Sequence, residues 1–271
     1  MTPKAHDAHL TMFIDSHCHL DNDQFAPDRD EVVQRALDAG VEHMVAIGTG
    51  DGPPDLEAGI RLADRYAPFY CTVGIHPHDA AKATSDTYEN LEQLLSHPKV
   101  VAIGEIGLDY HYDFAPREVQ RNVFVEQMRI ARDATKPIVI HTREAWDDTL
   151  SLLAEHWPAT LGGIMHCFSG GQNESARALD LGFHLSFGGI LTFPKSIDIQ
   201  EAARRAPADR ILIETDAPYL APVPRRGKRN EPAFIVETAR KLAELRGVSL
   251  ESIASLTAAN FRKLFNLAPG P

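Results

Sequence analysis

Five residues able to hold a metal, His17, Glu105, His141, His166 and Asp216, each close a short apolar run, in the strings FIDSHCHL, VVAIGEIGLDY, PIVIHTREA, GGIMHCFSG and ILIETDAPYL. A sixth, His19, stands two residues beyond the first. Imidazole and carboxylate are the donors that bind divalent transition ions. Taken singly, each has an ordinary alternative. His17-Cys18-His19 also describes alternating buried or surface histidines, and His141 and His166 also suit satisfied core positions. Glu105, among Gly104, Ile106 and Gly107, needs a cationic partner because an unpaired buried carboxylate is costly, and arginine would serve as well as a metal. Asp216 also suits a helix cap. Six such coincidences in one chain, all at the carboxyl ends of apolar runs, favour a metal centre.

The elements that would position these groups follow from periodicity. Strand candidates end near His17, Gly48, His76, Glu105, His141, His166, Gly188 and Asp216, at intervals from 22 residues (His166 to Gly188) to 36 (Glu105 to His141). Such an interval holds a strand, a helix and two short loops. Between them lie helical stripes: Val32, Val33, Ala36 and Leu37 within Asp28 to Ala39; Leu91, Leu94 and Leu95; and Val119, Val123, Phe124, Met128, Ala131 and Ala134, opened by Pro116 and ended by Pro137. Phe234 to Leu245 and Leu250 to Phe265 read as closing helices. The expected fold is α/β, a single (β/α)8 TIM-type barrel with extra C-terminal helices, whose chemistry sits where the strands end. The expected organisation is a flexible tail at 1–11, a metal-dependent hydrolase barrel at 12–267 and a short tail at 268–271.

Composition narrows the setting. The 44% hydrophobic and 24% charged fractions belong to an ordinary globular protein, and no apolar run approaches the roughly 18 residues of a membrane span. Residues 1–11 mix Lys, His, Asp and Pro without the apolar block of a signal peptide. Three widely spaced cysteines, Cys18, Cys71 and Cys167, argue against a disulfide framework. Strand alternation turns Cys18 away from His17 and His19, and Cys167 away from His166, as buried structural thiols. A cytoplasmic monomer with no membrane contact is expected. The net charge of −11 does not suit a broad basic face for nucleic acid. A grip on a few phosphates is compatible with it, since two divalent cations and the basic run Arg225, Arg226, Lys228 and Arg229 would act locally.

The ordered set DSHCHL, VGIHPH, GEIGLDY, HTREA, HCFSG, ETDAPYL and RGKRNEP resembles the TatD-type metal-dependent deoxyribonucleases, a branch of the amidohydrolase-like barrels, from about Met12 to Leu267. Ser16 departs from the Thr common in the first motif and puts nothing essential in doubt. The resemblance implies two divalent ions per chain, one held by His17, His19 and Asp216 and the other by His141 and His166, with Glu105 bridging. It also implies activity with Mg or Mn, although the imidazole-rich donor set suits Zn, Mn, Fe or Ni by softness. Paired cations about 3.5–4 Å apart polarise a phosphoryl oxygen and neutralise the attacking and leaving oxygens. Asp216 and Glu105 are the catalytic candidates, Asp216 as the group that orients and deprotonates water. Candidate substrate contacts are His76, His78, Asp109, Tyr110, Arg143, Ser169, Lys228, Arg229 and Asn230, with Tyr110 placed to stack under a base. Surface solvation is the ordinary alternative for Lys228 and Arg229. Asp15 and Glu214 are expected to support the ligands from one layer below.

The leading expectation is hydrolysis of DNA phosphodiesters, as a 3′ to 5′ exonuclease on single-stranded DNA or DNA ends, the polarity being implied by the resemblance. The rival within enzymes is a two-metal hydrolase of a small amide, ester or phosphoester, since one barrel hosts many chemistries. A metal-binding interaction protein without turnover is the third reading, and the complete donor set opposes it.

Overall fold

Alternating apolar runs and amphipathic stripes produce a barrel in the computed structural model, which describes residues 12–268. The strands are β1 (Phe13–Cys18), β2 (Val41–Ala46), β3 (Phe69–Val73), β4 (Val100–Asp109), β5 (Ile138–Arg143), β6 (Gly163–Met165), β7 (Phe183–Phe187) and β8 (Ile211–Ile213). They pair in parallel in chain order, β1 through β8. The helices are α1 (Arg29–Asp38), α2 (Ala58–Arg65), α3 (Ser85–Leu94), α4 (Arg117–Asp133), α5 (Trp146–His156), α6 (Gln172–Asp180), α7 (Ile197–Arg205), α8 (Ile235–Arg246) and α9 (Leu250–Leu264). Each of the first eight follows its own strand, so α9 alone is additional among the described residues, where the sequence suggested a pair. The expected tails at 1–11 and, except for residue 268, at 268–271 lie outside the described residues.

The helix ends follow local chemistry. Thr84 caps α3 through the Thr87 amide, Ser249 caps α9 through the Ser252 amide, and Gly247 closes α8 in the left-handed region at φ 65°. Two apolar layers then form. Ile14, Val101, Val139, Ile164 and Leu212, each the second residue of its strand, pack with Ala258 and Phe261 of α9, which plugs the end where strands begin. The larger layer lies between strands and helices and includes Cys18 and Cys71, as alternation predicts. No thiol is bridged. Burial pushes the thiols of Cys18 and Cys167 well up and that of Cys71 up to about 12; Cys18 and Cys71 pack in the core, whereas Cys167, expected there too, lies past the end of β6 in the left-handed region and is only partly buried.

Five strands, β2, β3, β6, β7 and β8, stop sooner than the apolar runs suggested, β6 by one residue at Met165. β3 ends at Val73, and His76 stands at the start of a 3₁₀ turn (Pro77–Lys82). β8 ends at Ile213, and Asp216 lies three residues beyond it in the left-handed region, at φ 57°. β2 and β7 likewise end at Ala46 and Phe187, short of Gly48 and Gly188. Strand alternation therefore does not aim Asp216; the closing seam does. Its amide donates to the His17 carbonyl (2.9 Å), and the His19 amide donates to the Ala217 carbonyl (2.8 Å), beside the Cys18–Ala217 bridge that joins β1 to the chain after β8.

Candidate metal centre

The seam that closes the barrel delivers His17, His19 and Asp216 to one spot. The Nε2 atoms of His17 and His19 are 3.1 Å apart, and Asp216 Oδ1 lies 3.8 Å from the first and 3.5 Å from the second. Glu105 comes from the middle of β4, where Gly107 allows the approach to β5. At φ 137°, a Cβ there would fall 2.0 Å from the His141 carbonyl oxygen. Glu105 divides its oxygens between two groups of imidazoles. Oε2 faces His17 (3.3 Å) and His19 (3.6 Å), while Oε1 meets His141 Nδ1 at 2.6 Å and His166 Nε2 at 2.9 Å.

The surroundings settle the charges. Glu105 is 2% exposed; burial alone would raise its carboxyl, but His166, His17 and His141 hold it well below the usual range. Burial lowers His17 to about 3, which keeps that imidazole neutral, the state a ligand needs. At His166, burial opposes the charge and is overcome by Glu105 and Glu214, so its pKa is raised. His141 is raised similarly against burial, by Asp109 and Glu105.

Carboxylates fix the outer sides of the imidazoles. Glu214 Oε1 accepts from the Cys167 amide (2.6 Å) and sits 3.1 Å from His166 Nδ1. Asp15 accepts from the Thr215 amide (2.9 Å), the Thr215 hydroxyl (2.5 Å) and the His17 amide (3.2 Å), and burial pushes its carboxyl up to about 7. Asp109 Oδ2 lies 2.8 Å from His78 Nε2 and 3.1 Å from His141 Nε2. Glu214 and Asp109, so placed, set ring orientation and tautomer, whereas Asp15 holds the backbone of the seam and leaves His17 Nδ1 without a partner.

Three donor triplets, each within 4.8 Å, emerge: His17–His19–Asp216, His17–Glu105–His166 and His76–Glu105–His141. The donor set fits divalent cations. Four imidazoles and two carboxylates converge, the Nε2 atoms of His17 and His19 face one another, and one carboxylate is shared by both groups. His17, His19 and Asp216 could hold an ion, as the resemblance implies, whereas the geometry groups His166 with His17 and His141 with His76, each around Glu105. His76, expected only at substrate, lies 3.7 Å from Glu105 Oε1 and joins the donors of the second group.

The sequence model of the family described as TatD related DNase matches residues 14–266. This chain belongs to the TatD family. It is 40% identical over 256 residues to the uncharacterized metal-dependent hydrolase YabD of Bacillus subtilis, covering 94% of this chain and 100% of that protein. It is 37% identical over 256 residues to the Escherichia coli protein named 3′-5′ ssDNA/RNA exonuclease TatD, covering 92% and 97%. The crystal structure of the TatD homolog YJJV from Escherichia coli superposes with a TM-score of 0.87 at 33% identity, covering 96% of this chain and 100% of that one. The protein is a metal-dependent hydrolase of the TatD family.

In this TatD-family barrel the donors floor a cavity of about 670 Å³, walled by His76, His78, Asp109, Tyr112, Phe114, Arg143 and Tyr219 among others. The remaining substrate candidates stand elsewhere. Tyr110 points its hydroxyl to Asp148 (2.6 Å) under the Arg117 guanidinium. Ser169 and Lys228 are exposed and not part of the cavity wall. Arg229 forms a double ion pair with Asp28 (2.8 and 2.7 Å) above the Phe25 ring. Asn230 is fully buried, donating to the carbonyls of Thr215 and Tyr219 at 2.7 Å each; it ties the last loop to the seam. Arg225 and Arg226 lie over Phe234 and Phe193. Sequence reasoning missed Tyr112, Phe114 and Tyr219. The first two follow Tyr110 at alternate positions in LDYHYDF, a period-two aromatic signal from which only Tyr110 was taken.

Proposed function

We propose that this TatD-family hydrolase is a nuclease that removes nucleotides from the 3′ end of single-stranded DNA, working as a cytoplasmic monomer with two divalent ions, Mg or Mn in turnover. The observation that carries the reading is the division of Glu105 between two imidazole groups at the floor of a cavity that Arg143 lines. Paired cations there would supply electrostatic stabilisation to a phosphodiester undergoing displacement. The chain's own groups do the rest. Asp216, a carboxylate at the cavity floor, orients water and takes its proton. Arg143 donates to a nonbridging phosphate oxygen, and Asp109 holds His78 in the wall beside it. The Escherichia coli relative's name supports the substrate and the polarity. No described helix is long and apolar enough to cross a membrane, and three unbridged thiols suit a reducing compartment.

A second reading, hydrolysis of a small ester, amide or phosphoester, draws on the basic run. Arg225, Arg226 and Arg229 are engaged by Phe234, Phe193 and Asp28, which leaves Arg143 as the arginine in the cavity wall. To decide, metal-stripped protein is incubated with single-stranded DNA or RNA labelled at either end, with Mg, Mn or Zn, beside Asp216→Asn. A metal-dependent ladder from 5′-labelled strands, absent in the variant, is expected. No cleavage of DNA or RNA with any metal would move the function to the small-molecule reading.

A further inference from the structure

Exposed apolar side chains are few here, and half of them gather in one place. Among the described residues eight large ones are 40% exposed or more, and four of them, Tyr112 (48%), Phe114 (66%), Tyr219 (48%) and Leu220 (40%), line the cavity over the donors. Apolar surface gathered at one polar-rimmed mouth marks a binding face. Two of these side chains are organised. The Tyr112 and Phe114 rings lie parallel within 6°, centroids 5.3 Å apart, and the Arg143 guanidinium stands 4.7 Å over Tyr112. His78 meets both rings edge-on, at 5.5 Å and 4.8 Å.

Asp109 ties this pair to the centre. Its Oδ1 accepts from the His111 and Tyr112 amides, each at 3.0 Å, and its Oδ2 reaches His78 and His141. The aromatic pair is thus held in fixed relation to the donors, with the His78 and His141 rings 6.2 Å apart between them.

We propose that Tyr112 and Phe114 form a platform for the unpaired terminal base of a single-stranded nucleic acid, with Arg143 bridging from the ring face to the attached phosphate. This deepens the nuclease reading and rests on it. A nucleotide is an apolar, planar face joined to an anion, and the wall offers those two features side by side: a ring pair, and a guanidinium stacked on it that keeps its donors. Phe114, the more exposed ring, presents the larger free face. Stacking is indifferent to base identity, because every base has a π-face. In a duplex the terminal base is paired to the opposite strand and must be unpaired before it can turn onto the wall, so the platform favours single strands. A peptide side chain would use the rings and leave the adjoining anion site idle.

The test compares kcat/KM on two oligonucleotides that differ only in whether the 3′-terminal residue carries a base or a tetrahydrofuran abasic analogue. The native enzyme is expected to favour the base-bearing end by roughly 5- to 100-fold. In Tyr112→Ala/Phe114→Ala that ratio falls towards one, and Ile197→Ala, which alters an exposed apolar residue on α7, keeps it. As a second readout, strands ending in 2-aminopurine are quenched on binding to Asp216→Asn protein, and the quench is lost when Phe114→Ala is added. A native ratio of one, or a ratio unchanged in the double variant, overturns the platform and leaves the nuclease reading standing, and a protein-binding role for the rings would give that result. Native enzyme that cleaves neither strand overturns both.

Discussion

The two ends of this barrel use the same strands for opposite purposes. Where the strands begin, Ile14, Val101, Val139, Ile164 and Leu212 meet Phe261 in a sealed apolar layer. Where they end, buried and half-buried imidazoles and carboxylates gather in triplets whose donor atoms lie within 4.8 Å of one another. A protein gains nothing in stability by concentrating ionisable groups away from water. Groups that converge so closely and share one carboxylate are there for something that binds between them. The exception at the closed end sharpens the contrast. His184, in register with Ile164, is 4% exposed and has no hydrogen-bond partner at either ring nitrogen; it stands alone, with no converging donors.

If the ends are separable, changes at each should move different quantities. The largest effect is expected from Glu105→Ala, which removes the shared carboxylate. Bound metal falls below that of the native protein, and turnover drops on the order of 10³-fold or more, with the circular dichroism spectrum retained. Full activity with full metal content would remove the bridging role. Next comes Phe261→Ala at the closed end, which should cost about 3 kcal/mol of unfolding free energy and leave kcat/KM per folded molecule unchanged at moderate temperature. A matching fall in activity would mean that the ends are mechanically coupled. The smallest is the pH response of His184. Burial first, then the nearby Arg210 charge, lower its pKa to about 4. As pH falls from about 6.5 towards 4, the unfolded chain takes up the proton before the folded one does, so folded stability declines across that window. His184→Leu should flatten that part of the urea-midpoint profile and match the native protein in slope above pH 7. An unchanged profile would place the acid sensitivity elsewhere.

The barrel was readable in the sequence because its two signals, apolar runs at intervals of strand plus helix and polar residues at one end only, agree with each other. The convergence of the six candidate donors was readable for the same reason. What escaped were features set by loops. Alternation reads Asp216 as a strand residue, yet it owes its position to a left-handed turn and to the His17 carbonyl; it joins the other candidate donors by a route that alternation does not describe. The basic run Arg225 to Arg229 read as a phosphate grip, but rings and an aspartate engage its arginines, partners up to 201 positions away in the chain. Tyr110 and Tyr112 are equally good stacking candidates as letters. Only the fold shows that Asp148 holds the first while the second faces the cavity.

Two cations that share Glu105 must lie close enough for their spins to couple. Electron paramagnetic resonance of metal-stripped protein titrated with Mn reads that coupling. At two equivalents per chain, the expected spectrum is that of an exchange-coupled Mn pair, replaced by that of isolated ions in Glu105→Ala. Isolated Mn at every loading of the native protein would contradict that sharing.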